Sequence, residues 1–396
     1  MLTTFQIVLI VIIGFILLSF LANMLNLQKY GIHILPFGII FRTKFFNKIL
    51  EKMGERGKKF WKILYDIGKV LAGIITIGLL GYFIVNPFLL IFRSPAGIGL
   101  QLLIPGVTID FKIALLFILP ILIVLIPHEI AHAVMAHREG VKIESSGVFI
   151  VLVFFGGFVE LVREQIEKAN LKSKIRIFLN GSAVNAVFSV FFVALYFLSP
   201  AIVSIGYTNP SGVLVTNVYD DYPADIVGIA RGDVITNIGA YNSSTGHITY
   251  YDINDVEDYH LALSENLGVS QLFIIFLDKP TRALVPTTDN PSSKKNSDDQ
   301  IYLGINIYNY YTPKSERQSK WFPYYWNIQI LYTLNISIMA VFLNTLPLVL
   351  TDGDKILHAY MMKRYPNRPK GKKILNIARI ASFCLIAINI ILSMTL

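Results

Sequence analysis

Long apolar runs separated by short polar loops dominate this sequence. Six of them cover residues 5–24, 70–92, 113–136, 177–205, 326–350 and 374–396. Each reaches the roughly 20 residues that a helix needs to cross a hydrocarbon core about 30 Å thick. The pattern predicts a polytopic α-helical membrane protein of about six spans. The first run has no basic segment before it and no small-residue cleavage site after it, so it reads as a retained span rather than a secretory signal.

Another apolar run, SGVFIVLVFFGGFVELVRE, follows the third span but is interrupted by Gly156 and Gly157. It is too short to cross and predicts a hairpin over 146–162 that dips into the membrane, where irregular backbone is tolerated only against protein or a water-filled cavity. From 206 to 320 hydropathy falls, and short runs such as GVLVTNV and SQLFIIFL predict a soluble β-rich domain. Within it, 281–299 has the polar composition of a flexible excursion. Four regions are therefore expected: 1–112 with spans one and two, 113–205 with spans three and four and the hairpin, the β-rich domain at 206–320, and 321–396 with the last two spans.

Composition agrees with this picture. Hydrophobic residues make up 54% of the chain and charged ones 15%, against about 25% charged in an ordinary soluble domain. The net charge of +9 sits in short loops beside the spans rather than on one soluble face, which argues for orientation and against nucleic acid as a partner. Residues 25–69 hold ten Lys or Arg against three acids, and eight basic residues lie between Lys355 and Arg379. The positive-inside rule then puts those loops in the cytoplasm and 206–320 outside. The single cysteine, Cys384, excludes an intrachain disulfide and reads as a small packing residue.

The third span ends in IPHEIAHAVMAHREG, which sets His128 and His132 on one helical face, where two imidazoles can grip one Zn2+ per chain. In this H-E-x-x-H arrangement Glu129 stands beside the metal and takes a proton from its water. Ionisable groups in an apolar span each cost about 2.5 kcal/mol or more to insert, which favours a cavity-facing function over polar glue between helices. His128 lies sixteen residues beyond Lys112, roughly 24 Å along a helix, so the metal belongs near the cytoplasmic face. A catalytic zinc takes three protein ligands and keeps one position open. At matching depth NTLPLVLTDGDKIL offers Asp352, with Pro347 to break the helix and Gly353 to let the chain bend. His137, five residues past His132, points off that face.

HEIAH in the third span, GSAVN in the fourth and NTLPLVLTDG after the fifth resemble the three motifs of the site-2 protease family. The resemblance implies a catalytic core of the third, fourth and fifth spans. It also implies an intramembrane zinc metalloendopeptidase that cuts single-span regulators within or beside their membrane segments. The H-E-x-x-H pattern falls on His128, Glu129 and His132, and N-x-x-P-x-x-x-x-D-G on Asn344, Pro347, Asp352 and Gly353. G-x-x-x-N falls on Gly181 and Asn185, with Ser182 and Ala183 small enough for close helix approach. By the same resemblance Asn185 and Asn344 line the site and hold the substrate or a developing oxyanion.

FGGFVEL resembles the corresponding segment of the archaeal and eukaryotic branch, where an exposed strand edge could take an extended substrate. SGVLVTNVYDDYPADIVGIARGDVITNIGA resembles a PDZ domain, which implies an extracytoplasmic module that screens substrates. Three other readings compete. A metalloprotease with glutamate as third ligand is opposed by the fifth-span motif. A metal transporter would need ligands but not the unligated base Glu129, and an inactive scaffold is disfavoured because the motifs are complete.

Overall fold

The computed structural model describes residues 13–395 apart from 15, 22–23, 36–37, 106, 152–153, 243–244, 266–270, 285–301 and 367. The chain divides into two compact units, Met1–Leu195 with Gln329–Leu396, and Tyr196–Ile328. The first expected span and the excursion at 281–299 lie for the most part outside the described residues.

Among the described residues five helices are long and apolar enough to cross a membrane: Lys58–Ile91, Phe111–Arg138, Leu171–Gly206, Phe322–Thr345 and Pro369–Thr395. In chain order the first unit opens with strands β1 (Ile32–Leu35) and β2 (Gly38–Thr43) and helices α1 (Asn47–Glu55) and α2 (Lys58–Ile91). The next crossing helix is broken at Phe117 into α3 (Phe111–Leu116) and α4 (Ile118–Arg138). Strands β3 (Ile143–Val151) and β4 (Phe154–Leu161), the short α5 (Arg163–Lys168) and α6 (Leu171–Gly206) follow.

The expected hairpin is present as β3 and β4, but it belongs to a larger antiparallel sheet in the order β1-β2-β3-β4. Strand β2 pairs with β3 from Gly38↔Val151 to Thr43↔Ser146. Residues 32–43 had been expected to be part of a basic loop. Both strands are short and apolar; β1 pairs locally with β2, but β3 lies more than a hundred residues from β2, so local pattern gave no sign of the β2–β3 pairing. Strand β4 is left as the sheet edge.

The second unit carries β5 (Tyr207–Val218), α7 (Pro223–Ile226), β6 (Val234–Asn242), β7 (His247–Asp252), α8 (Val256–Ser264), β8 (Gln271–Phe276), β9 (Arg282–Leu284) and β10 (Ile305–Pro313). Its sheet runs β10-β5-β6-β8-β9, with β7 pairing β6. Strand β8 alternates buried and half-buried positions, the period-two signature of a strand with one face in a core. That core gathers Val213, Val215, Ile235, Ile238, Leu272 and Ile274.

The chain returns to the first unit through α9 (Phe322–Thr345), and α10 (Asp352–Arg364) and α11 (Pro369–Thr395) complete it. The fifth span was expected to run to residue 350, but its helix stops at Thr345. Pro347 explains the stop: it lacks an N–H and disfavours helical backbone at Leu346. The chain turns through Leu350 at φ 82° and restarts at Asp352. Cys384, expected to be a packing residue, is exposed on α11, as a small apolar group on a lipid-facing surface can be.

Candidate metal centre

Three side chains from elements distant in sequence meet in the first unit. His128 and His132 are one turn apart on α4, and both are buried. Their Nε2 atoms lie 3.1 Å apart. Asp352 Oδ2 stands 3.3 Å from the first and 3.0 Å from the second. Together the three residues form a group able to hold a metal ion.

The hydrogen bonds behind the rings favour a metal. His132 Nδ1 lies 2.8 Å from the carbonyl of Ile177. A carbonyl only accepts, so Nδ1 carries the proton and Nε2 presents a lone pair to the centre. His128 Nδ1 lies 3.0 Å from the amide of Asn185, whose Oδ1 is buried without a partner among the described residues. Exchanging the amide's oxygen and nitrogen would let Oδ1 accept from Nδ1–H, satisfying the orphan and freeing the second Nε2. Two such lone pairs and a carboxylate, held this close, repel one another unless a cation lies between them.

The space for that cation comes from α6. A Cβ on Gly181 would fall 2.5 Å from His132 Nε2 and 2.6 Å from His128 Nε2. The absent side chain is therefore the hollow into which both rings point. The glycine serves the centre itself, beyond the helix approach inferred from its small neighbours.

Asp352 is set by local chemistry. Thr351 caps α10, its hydroxyl accepting from Asp354 N, and also donates to Leu346 O at 2.6 Å. Gly353 passes so near the end of α9 that a Cβ would meet Thr345 O at 2.1 Å. Lys355 donates to Asp352 Oδ1 at 3.1 Å, leaving Oδ2 for the centre. Two residues past Asp352, Asp354 is gripped by Arg379 of α11 through bonds of 2.6 and 2.7 Å, a bidentate clamp that fixes the start of α10.

Glu129, His132, Asp352 and Lys355 line one cavity of about 290 Å³ with Val159 and Phe178. Glu129 is not among the grouped ligands, and its Oε2 accepts from Val159 N of β4 at 3.1 Å. That amide therefore faces away from β3. By the alternation of an antiparallel ladder, the backbone of Gly157 faces the same open edge. The amide of Asn344, in the last turn of α9, makes no hydrogen bond among the described residues, so it is not brought into this network. Sequence reasoning missed the backbone groups of Ile177 and Val159, which leave no mark in side-chain pattern. It also missed Asp354, Lys355 and Arg379, whose charges read as part of a basic loop.

Comparison with known proteins finds relatives of this sequence. The family model for peptidase family M50 matches residues 116–388. A membrane-bound transcription factor site-2 protease homolog from Arabidopsis thaliana is 27% identical over 198 residues, covering 49% of this chain and 38% of that protein. An uncharacterized protein of Methanocaldococcus jannaschii is 28% identical over 262 residues, covering 65% of this chain and 63% of its own length. The chain spans less than two thirds of each of these relatives.

Proposed function

The chain belongs to peptidase family M50, and from that membership we propose that it is an intramembrane zinc metalloendopeptidase holding one Zn2+ per chain. Its substrates are membrane proteins, cut within or beside their membrane segments, and single-span regulators fit that description. The observation that carries the reading is the convergence of His128 Nε2, His132 Nε2 and Asp352 Oδ2 beside a carboxylate that is not a ligand.

His128, His132 and Asp352 would hold the ion, which when bound supplies Lewis acidity and makes water at the site easier to deprotonate. Glu129 takes the proton from that water and returns it to the leaving amine nitrogen. Its hydrogen bond to Val159 N aims the carboxylate and ties it to the strand edge. The edge of β4 takes the substrate as an added strand, keeping its peptide bonds extended, since a helical segment hides them. Asn185 acts here as a positioning residue that steers the ring of His128, and Lys355 does the same for Asp352.

Loop charges support a site near the cytoplasmic face, with the β-rich unit as an extracytoplasmic PDZ-like module that screens substrates. The test is zinc content together with cleavage of a detergent-solubilised transmembrane substrate. Wild type and Glu129→Gln should each keep about one zinc while only wild type cuts, and Asp352→Ala should lose both. Zinc bound by wild type with no cleavage across several substrates would favour a transporter or scaffold, with metal flux in liposomes as the next measurement.

A further inference from the structure

Away from the metal centre, a cleft of about 620 Å³ opens where α2, α4, α6 and α10 meet. Its wall carries Lys62 and Lys69 from α2, Arg138 from the last turn of α4, Lys172 and Arg176 from the start of α6, and Lys363 from α10. Two carboxylates stand among these six cations, and both are engaged. Asp66 pairs with Lys69 at 2.5 Å, and Glu139 takes Arg176 Nη1 at 2.9 Å and Ser173 Oγ at 2.5 Å.

Lys62, Arg138, Lys172 and Lys363 form no ion pair among the described residues. Arg138 Nη1 is buried and has no hydrogen-bond partner among the described residues. A buried guanidinium nitrogen without an acceptor is costly, and a protein retains one where an anion completes it. Met135, Leu171 and Ile175 bring apolar surface beside the charges, and Tyr65 completes the lining.

Position narrows the choice of anion. Arg138 ends the apolar run of α4, Lys172 opens that of α6, and the lysines of α2 precede its own apolar run. The cleft therefore lies at the depth where headgroups begin, and basic pockets between spanning helices at that level suit phosphate headgroups. We propose that this cleft binds the phosphate of an anionic phospholipid, with Arg138 taking the phosphate oxygens and Lys62, Lys172 and Lys363 surrounding them. Apolar neighbours fit the glycerol and acyl stem, which a soluble phosphate lacks. Arg138 is six residues beyond His132 on α4, so an occupied cleft also steadies the end of the helix that carries both histidines. This inference does not depend on the protease reading.

The experiment counts lipid bound to the full chain by native mass spectrometry after exposure to dioleoylphosphatidylglycerol, to dioleoylphosphatidylcholine, or to inorganic phosphate. Wild type should retain one phosphatidylglycerol at concentrations where phosphatidylcholine washes away. Lys62→Gln combined with Lys172→Gln, both exposed positions, should bind it about thirtyfold more weakly, from roughly fivefold per cation. Equal retention of the two lipids would overturn the proposal, as would full retention by the double variant. Binding of inorganic phosphate without retention of phosphatidylglycerol would assign the cleft to a soluble anion and refute the lipid. The wild-type comparison stands whatever the variants do.

Discussion

Gly181→Ala sets two physical effects against each other. Alanine is the better helix former by up to about 1 kcal/mol, so a helix-only view predicts a slightly more stable protein. The added methyl would stand 2.5 Å from His132 Nε2 and 2.6 Å from His128 Nε2, where nonbonded atoms touch at about 3.5 Å. One or both rings must retreat by up to about 1 Å, several times the roughly 0.2 Å within which zinc–ligand distances hold. Retreat is opposed by the hydrogen bonds that tie the rings to Ile177 O at 2.8 Å and to Asn185 at 3.0 Å. We expect metal affinity to fall by at least the 10- to 100-fold seen when a ligand's supporting partner is lost, with the helix content of the metal-free protein retained. Competition against a calibrated chelator, read as zinc per chain, measures the first, and circular dichroism of chelated protein the second. Unchanged zinc affinity in a folded Gly181→Ala protein would refute the cradle.

Asn185→Ala should weaken zinc about 10- to 100-fold by releasing the His128 ring, while Asn185→Asp, which keeps an acceptor at Nδ1, should recover most of the affinity; equal losses in both would show that the amide does not steer the ring. Glu139 carries a pH prediction: burial favours its neutral form, but Ser173 and Arg176 outweigh this and lower its pKa. A carboxylate lowered on folding stabilises fully above its unfolded pKa of about 4.3 and loses that contribution as pH falls through the folded value. The difference in Tm between wild type and Glu139→Gln should therefore hold from pH 7 to about 5 and shrink on further acidification; a difference that grows in acid contradicts the sign.

Some of this protein could be read directly from the sequence. The apolar runs marked four of the five described spanning helices to within about six residues at each end, since hydropathy over some twenty residues averages out local detail. The remaining one, α2, continues twelve residues before its apolar run, from Lys58 rather than residue 70, because its first turns carry lysines and an aspartate that hydropathy excludes. His128, Glu129 and His132 were legible because a four-residue spacing on a helix is itself a geometry. Asp352 was reached through depth and motif, which locate a residue along the membrane normal but not within the plane.

What only tertiary structure decided concerns partners without a sequence period. The pairing of β2 with β3 joins segments more than a hundred residues apart, and it makes β4 an edge strand whose Val159 amide meets Glu129. The choice of Ile177 O and Asn185 as holders of the two rings depends on how α6 crosses α4, as does the hollow left by Gly181. The unpartnered Arg138 in its basic cleft emerges only when four helices are assembled. Periodicity in sequence records which face a residue lies on; the identity of the group opposite it is fixed by packing.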